Sequence, residues 1–76
     1  MKALIVVDMQ NDFITGSLAV PGAQEIVGPI QDRLRQAGED REIVAFTADA
    51  HPANHKSFVE NGGPWPPHCV QETRGF

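Results

Sequence analysis

Ala3-Leu4-Ile5-Val6-Val7 is an unbroken apolar and mostly β-branched run that stops at Asp8. A strand with one wet face alternates polar and apolar side chains, whereas a strand covered on both faces does not, so this run predicts a central strand of a parallel sheet. Such a strand needs a crossover helix and a parallel neighbour. The next residues supply both. From Ala23 to Ala37 the apolar positions Ala23, Ile26, Val27, Ile30, Leu34 and Ala37 recur at helical spacing, while Glu25, Gln31, Asp32, Arg33, Arg35 and Gln36 take the other face. Gly38 is expected to end this helix, and Pro29, which has no backbone donor, to confine its regular part to the residues from Pro29 onward. After the charged link Glu39-Asp40-Arg41, residues Glu42–Thr47 read as the second strand. Strand, helix, strand predicts a right-handed parallel crossover. Asn11–Gly22, broken by Gly16, Pro21 and Gly22, is expected to be loop, as is the chain beyond Asn54.

Two parallel strands end at one edge of their sheet, and open α/β sheets bind ligands at the carboxyl edge. Asp8 ends the first strand and Asp49 lies just past the second. Asp8 is either a working carboxylate or a cap on the turn that Gln10-Asn11-Asp12 would make. Asp49 and His51 are two residues apart behind an apolar run, so an extended backbone puts both side chains on one face. His68 arrives from a loop bounded by Pro66 and Pro67 and can close a third position. An Asp/His/His set mixes oxygen and nitrogen donors and leaves coordination positions open to water or substrate, in the style of a catalytic metal site. Residues of these types also serve as helix caps and solvated turns. Pro52, Pro66 and Pro67 favour the ligand reading, because each fixes φ and restricts the residue before it, so little entropy is lost in holding a ligand geometry. Zinc suits the set first, with iron or manganese as alternatives. Phe13 is core filler or the wall of a pocket at the sheet edge; Trp65 is a plug over the core or, the favoured reading, a stacking surface beside His68. Cys69 is expected to point away from His68 in an extended segment and to be a small buried residue.

Bulk properties narrow the partners. With 76 residues and a net charge of −4, the chain is one small domain or a piece of a larger one. Lys2, Lys56 and four scattered arginines form no basic stripe, which argues against nucleic acid and for small acidic or neutral metabolites. Cys69 is the single cysteine, so no intrachain disulfide can form, and the composition fits a reducing cytosol. Asp8 cuts the N-terminal apolar run short of the roughly 7–15 residues of a secretory core and far short of the ~20 of a membrane span. A cytoplasmic protein with no membrane partner is expected. No G-x-G-x-x-G follows the first strand, which argues against a dinucleotide fold, and the composition leaves a homo-oligomer open.

Three stretches together carry a family resemblance: Ile5-Val6-Val7-Asp8-Met9-Gln10-Asn11-Asp12-Phe13; Thr47-Ala48-Asp49-Ala50-His51-Pro52-Ala53-Asn54-His55 with Ser57-Phe58; and Trp65-Pro66-Pro67-His68-Cys69-Val70. They resemble nicotinamidases, also called pyrazinamidases, of the isochorismatase-like cysteine hydrolase family. The first stretch is shared across that superfamily, while the second and third are more particular to nicotinamidases.

The resemblance implies a three-layer α/β/α fold with a parallel sheet, of which residues 1–76 would be the amino-terminal β-α-β portion plus the metal-site loop. It further implies hydrolysis of nicotinamide or pyrazinamide to the acid and ammonia through a cysteine thioester, in NAD salvage. In that reading Asp8 matches the acid of an Asp/Lys/Cys triad, Asp49, His51 and His68 match the ligands of a divalent metal, and Phe13 and Trp65 match the aromatic walls around the ring. His55 lies where some members recruit a further ligand. The family's lysine and cysteine come from later in a longer chain, and neither Lys2 nor Lys56 stands in the lysine's place. Where such sequences continue Gln-Gly-Thr-Pro-Gly after the valine, this one reads Gln71-Glu72-Thr73-Arg74-Gly75. A chain with these strands and one helix is expected to be an incomplete, poorly folded piece if made alone. The competing readings are another isochorismatase-like amidohydrolase, whose members commonly lack the metal, and a catalytically inactive metal-binding fragment.

Overall fold

The computed structural model describes all residues from Met1 to Phe76. The apolar run forms strand β1 over Ala3–Val7, and the second run forms strand β2 over Ile43–Thr47, one residue shorter at its start than the sequence suggests. The two strands pair in parallel, with Ala3 opposite Ile43 and Val7 opposite Thr47. Both therefore end at the same edge. That register puts Asp8 and the Thr47–Asp49 segment side by side, as the sequence predicts.

Between the strands the chain is more helical than expected. Asn11–Ile14 makes a single helical turn, α1, where loop was expected. Four residues are too few to show a helical period, so the turn leaves no signature in the sequence. The long helical segment begins as a 3-10 turn over Ala23–Ile26 and continues as helix α2 over Val27–Glu39. Pro29 is the third residue of α2, where a backbone N–H would have no intrahelical acceptor, so its missing donor costs nothing there. Gly38 does not end the helix; Asp40 follows Glu39 as the cap, with its N–H bonded to the carbonyls of Gln36 and Gly38.

Helix α2 packs on both strands. It buries Ala37 fully and leaves Val6 only 7% exposed, with Leu4 and Val44 half-buried beneath it. One helix has one apolar stripe and can cover one face of a sheet. Accordingly Ile5 and Val7, on the opposite face of β1, remain 61% and 63% exposed, so the two-sided burial expected of β1 is not met within these residues. Arg33 on α2 reaches Glu42, the residue before β2, with a 2.7 Å ion pair that ties the helix to the sheet.

Residues 48–76 have no long element but are cross-tied. His51 and Val70 form a parallel bridge, as do Phe58 and Trp65. The His51 N–H donates to the Cys69 carbonyl at 3.0 Å, and the Gln71 N–H donates back to the His51 carbonyl at 2.9 Å. At the closed end Gly63 lies against the backbone of Ser57, so close that any Cβ at that position would overlap it. The last residues fold back to the edge of the sheet, with the Asp12 N–H donating to the Gly75 carbonyl at 3.0 Å. The chain extends 45 × 23 × 19 Å, and its radius of gyration of 14.8 Å exceeds the ~11 Å typical of a compact chain of this length. No helix is long and apolar enough to cross a membrane.

Candidate metal centre

Asp49, His51 and His68 converge beyond the carboxyl edge of the sheet. One donor atom from each lies within 4.8 Å of the others. Nε2 of His51 is 2.9 Å, and Nε2 of His68 3.4 Å, from the same Asp49 oxygen, Oδ2. Two donors about 2.1 Å from a zinc ion at the tetrahedral angle stand roughly 3.4 Å apart, so these two spacings suit ligands of one ion. The site is sheltered but open: the side chain of His68 is 6% exposed, that of His51 14% and that of Asp49 33%.

The tautomer of His68 also fits. Its Nδ1 lies 2.8 Å from the carbonyl oxygen of Pro66, which can only accept, so Nδ1 carries the proton and Nε2 keeps its lone pair for an ion. The proline loop therefore does more than limit the backbone; it sets the ring. His55 is different. The Ser57 N–H donates to His55 Nδ1 at 3.2 Å, and the Ser57 hydroxyl lies 2.6 Å from the same nitrogen. A neutral ring accepting at Nδ1 has its proton on Nε2 and no lone pair there. His55 stands outside the donor cluster, packed against the His51 ring at 4.2 Å.

The aromatic residues divide unequally. The Phe13 ring lies 5.7 Å from that of His68. Trp65 is 49% exposed, its carbonyl accepts the Val59 N–H at 2.7 Å, and its ring is not among those packed on His68. Phe58 is the aromatic that the site is built on. It is fully buried, and its ring centroid lies 5.4–5.6 Å from those of His51, His55 and His68. A lone aromatic in a polar loop has no periodicity to mark it, which is why residue-level reading gives it no role.

Asp8 stands at the same edge in a left-handed conformation, φ 52°, and accepts from the Thr47 hydroxyl at 2.6 Å. With Phe13, Met9, Ile14 and neighbouring aliphatic residues it lines an open hollow of about 310 Å³ in which it is the single charged group. Cys69 is fully buried, as expected, though not because its segment is extended: its φ is +49°. Burial, and then the nearby carboxylates of Asp49, Asp12 and Asp8, push its thiol from 9.0 up to about 11, so at neutral pH it is a protonated thiol and no nucleophile.

The chain and its fold have counterparts among known proteins. The chain is 40% identical to the nicotinamidase of Saccharomyces cerevisiae and 46% identical to the nicotinamidase/pyrazinamidase of Mycobacterium tuberculosis, in each case over 99% of its own residues. It covers 47% and 42% of those two proteins, and so spans less than half the length of these relatives. A crystal structure of the pyrazinamidase of Pyrococcus horikoshii in complex with zinc superposes with a TM-score of 0.94 at 49% identity, covering 97% of this chain and 42% of that one. The yeast nicotinamidase bound to the inhibitor nicotinaldehyde superposes with a TM-score of 0.89 over 99% of this chain and 47% of that one. Residues 2–76 match the isochorismatase domain, and the chain, an α/β unit around a parallel strand pair, belongs to that family.

Proposed function

We propose that these residues supply the ion-binding side and the proton-transferring carboxylate of a nicotinamide amidohydrolase, which converts nicotinamide to nicotinate and ammonia. The observation that carries this reading is the convergence of Asp49, His51 and His68 on one point at the sheet edge that also holds Asp8. Relatives that are nicotinamidases, and a related pyrazinamidase in complex with zinc, support it. A divalent ion held by the three donors, zinc before iron or manganese, would keep positions free to orient the ring nitrogen of the substrate, directly or through water.

The chain's own residues have definable tasks. The Asp8 carboxylate, oriented by the Thr47 hydroxyl, takes the proton of a cysteine thiol supplied from outside these residues, beside a lysine of similar origin. The thiolate adds to the carboxamide carbon; the C–N bond breaks, and ammonia leaves with the proton that Asp8 returns. Water then cleaves the thioester, releasing nicotinate and restoring the thiol, with Asp8 again relaying the proton. Phe13, beside His68 and in the wall of the hollow that holds Asp8, offers a flat apolar face to the ring, and the exposed Trp65 side chain would supply a second. Cys69 takes no part, being buried and protonated.

The test is release of ammonia from nicotinamide by the complete protein that contains these residues. Asp8→Asn should abolish it while the protein still binds its ion, and an Asp8→Asn variant at wild-type rate would overturn the assignment. The 76-residue chain alone should release none; turnover by it would show that the nucleophile lies within it.

A further inference from the structure

Sheet pairing stops at Thr47, two residues before Asp49, and His68 lies in a loop with no strand or helix of its own. Nothing in the regular structure fixes either ligand. We infer that Gln10 and Asp12 are positioning residues for the ion: side by side after β1, their side chains grip the backbone at Asp49 and at Cys69 and so set the spacing of Asp49 and His68. This rests on the reading of Asp49, His51 and His68 as ligands and deepens it.

Gln10 is a buried polar residue, 6% exposed, and its amide is used from both ends. Oε1 accepts the Asp49 N–H at 2.8 Å, and Nε2 donates to the Asp49 carbonyl at 2.8 Å and to the Phe76 carbonyl at 2.8 Å. A planar amide that bonds both backbone groups of one residue leaves that residue little freedom to rotate, and hence fixes where its carboxylate starts. Leaving such a buried amide unpaired is unfavourable, so the clamp holds.

Asp12 does the same for the other arm. Its Oδ2 accepts the Cys69 N–H at 2.9 Å, while Oδ1 accepts the Ser17 N–H at 3.2 Å. Cys69 is left-handed, a conformation that a residue with a side chain keeps only when its surroundings hold it. The carboxylate, accepting in a charge-assisted bond one peptide away from His68, holds its N–H side, while the His51 N–H holds its carbonyl at 3.0 Å. Gly16 and Gly75 flank it so closely that a Cβ on either would overlap Asp12. The carboxylate thus sits in a slot cut to its size, spent on backbone donors rather than offered to an ion.

The experiment is a cobalt(II) titration of the complete, metal-stripped protein, with affinity read by competition with a coloured chelator and geometry by the visible d–d absorption. Gln10→Ala and Asp12→Ala keep all three ligands, yet should bind cobalt roughly 10–100-fold more weakly, the usual effect of losing a residue that orients a ligand, with a shifted absorption band. Asp12→Asn keeps an acceptor for the Cys69 N–H and should recover most of the affinity. Gln10→Glu turns an oxygen toward the Asp49 and Phe76 carbonyls and should not. If Gln10→Ala fails to fold, Gln10→Glu and Asp12→Ala carry the decision. Folded variants with wild-type affinity and spectrum would overturn this inference alone, as would an Asp12→Asn no better than Asp12→Ala. A wild-type protein that takes up no ion would overturn the ligand assignment as well.

Discussion

The hydroxyl of Thr47 donates to the carboxylate of Asp8 at 2.6 Å, and the Asp8 N–H donates back to Thr47, 3.1 Å from Oγ1 and 3.2 Å from the carbonyl oxygen. The last residue of β2 thus orients the side chain that leaves the tip of β1. A hydrogen bond to a charged group contributes about 1.5–3 kcal/mol, most of it lost when a proton acceptor is free to swing out of line. Thr47→Val, nearly the same shape without the donor, should lower kcat on nicotinamide about tenfold or more with little change in KM. Thr47→Ser should restore it. Steady-state kinetics of the three proteins decides the point, and an unchanged kcat in Thr47→Val would mean that the hydroxyl does not orient the carboxylate.

Removal of single donors separates ligands from neighbours. Asp49 Oδ2 is the atom that both His51 and His68 approach, so Asp49→Ala should take the bound-ion content, measured by elemental analysis, from near one per chain to near none. His68→Ala should do the same. His55→Ala should retain the ion, because Ser57 holds its Nδ1 and its other nitrogen carries the proton. Loss of the ion in His55→Ala would show that this ring turns over to join the cage.

These contrasts mark what a sequence can carry. Both strands and the helix were legible because burial imposes a period or an unbroken apolar run, and the convergence of Asp49, His51 and His68 was legible because such residue types at close spacing in a proline frame are uncommon. The one-turn helix at Asn11–Ile14 was too short to have a period. Gln10 and Asp12 could not be given their partners, since those partners are 39 and 57 residues away and are backbone groups, which leave no trace in residue identity. Phe58 failed for a related reason: its neighbours are the histidines themselves, brought together only by the bridges at His51–Val70 and Phe58–Trp65.

Phe58 should therefore matter to stability and to the ion together. It is fully buried beneath three imidazole rings, and truncating a buried Phe to Ala costs about 3–5 kcal/mol through lost transfer energy and the cavity left behind. Phe58→Ala should lower the thermal midpoint of the metal-free protein and weaken ion uptake, while Phe58→Leu should lower both less. A Phe58→Ala protein as stable as wild type would mean that the rings above it collapse into the space.

Cys69 gives a pH dependence whose sign follows from its raised pKa. The native state holds the thiol proton up to about 11, whereas the unfolded chain releases it near 9.0. Below 9.0 both states are protonated and the native preference for the neutral thiol is fully expressed. As pH rises from 9.0 to about 11 the unfolded state binds fewer protons than the native state, so stability falls, and the contribution is lost once the native thiol ionises. Other groups titrate in the same range, so the measurable quantity is a difference: the metal-free protein should lose urea resistance across this window more steeply than Cys69→Ala does. At pH 8 the thiol should also resist a disulfide reagent until the protein is unfolded. Parallel stability curves for the two proteins, or rapid labelling of the native thiol at pH 8, would show instead that the thiol is exposed to solvent and ionises at its ordinary value.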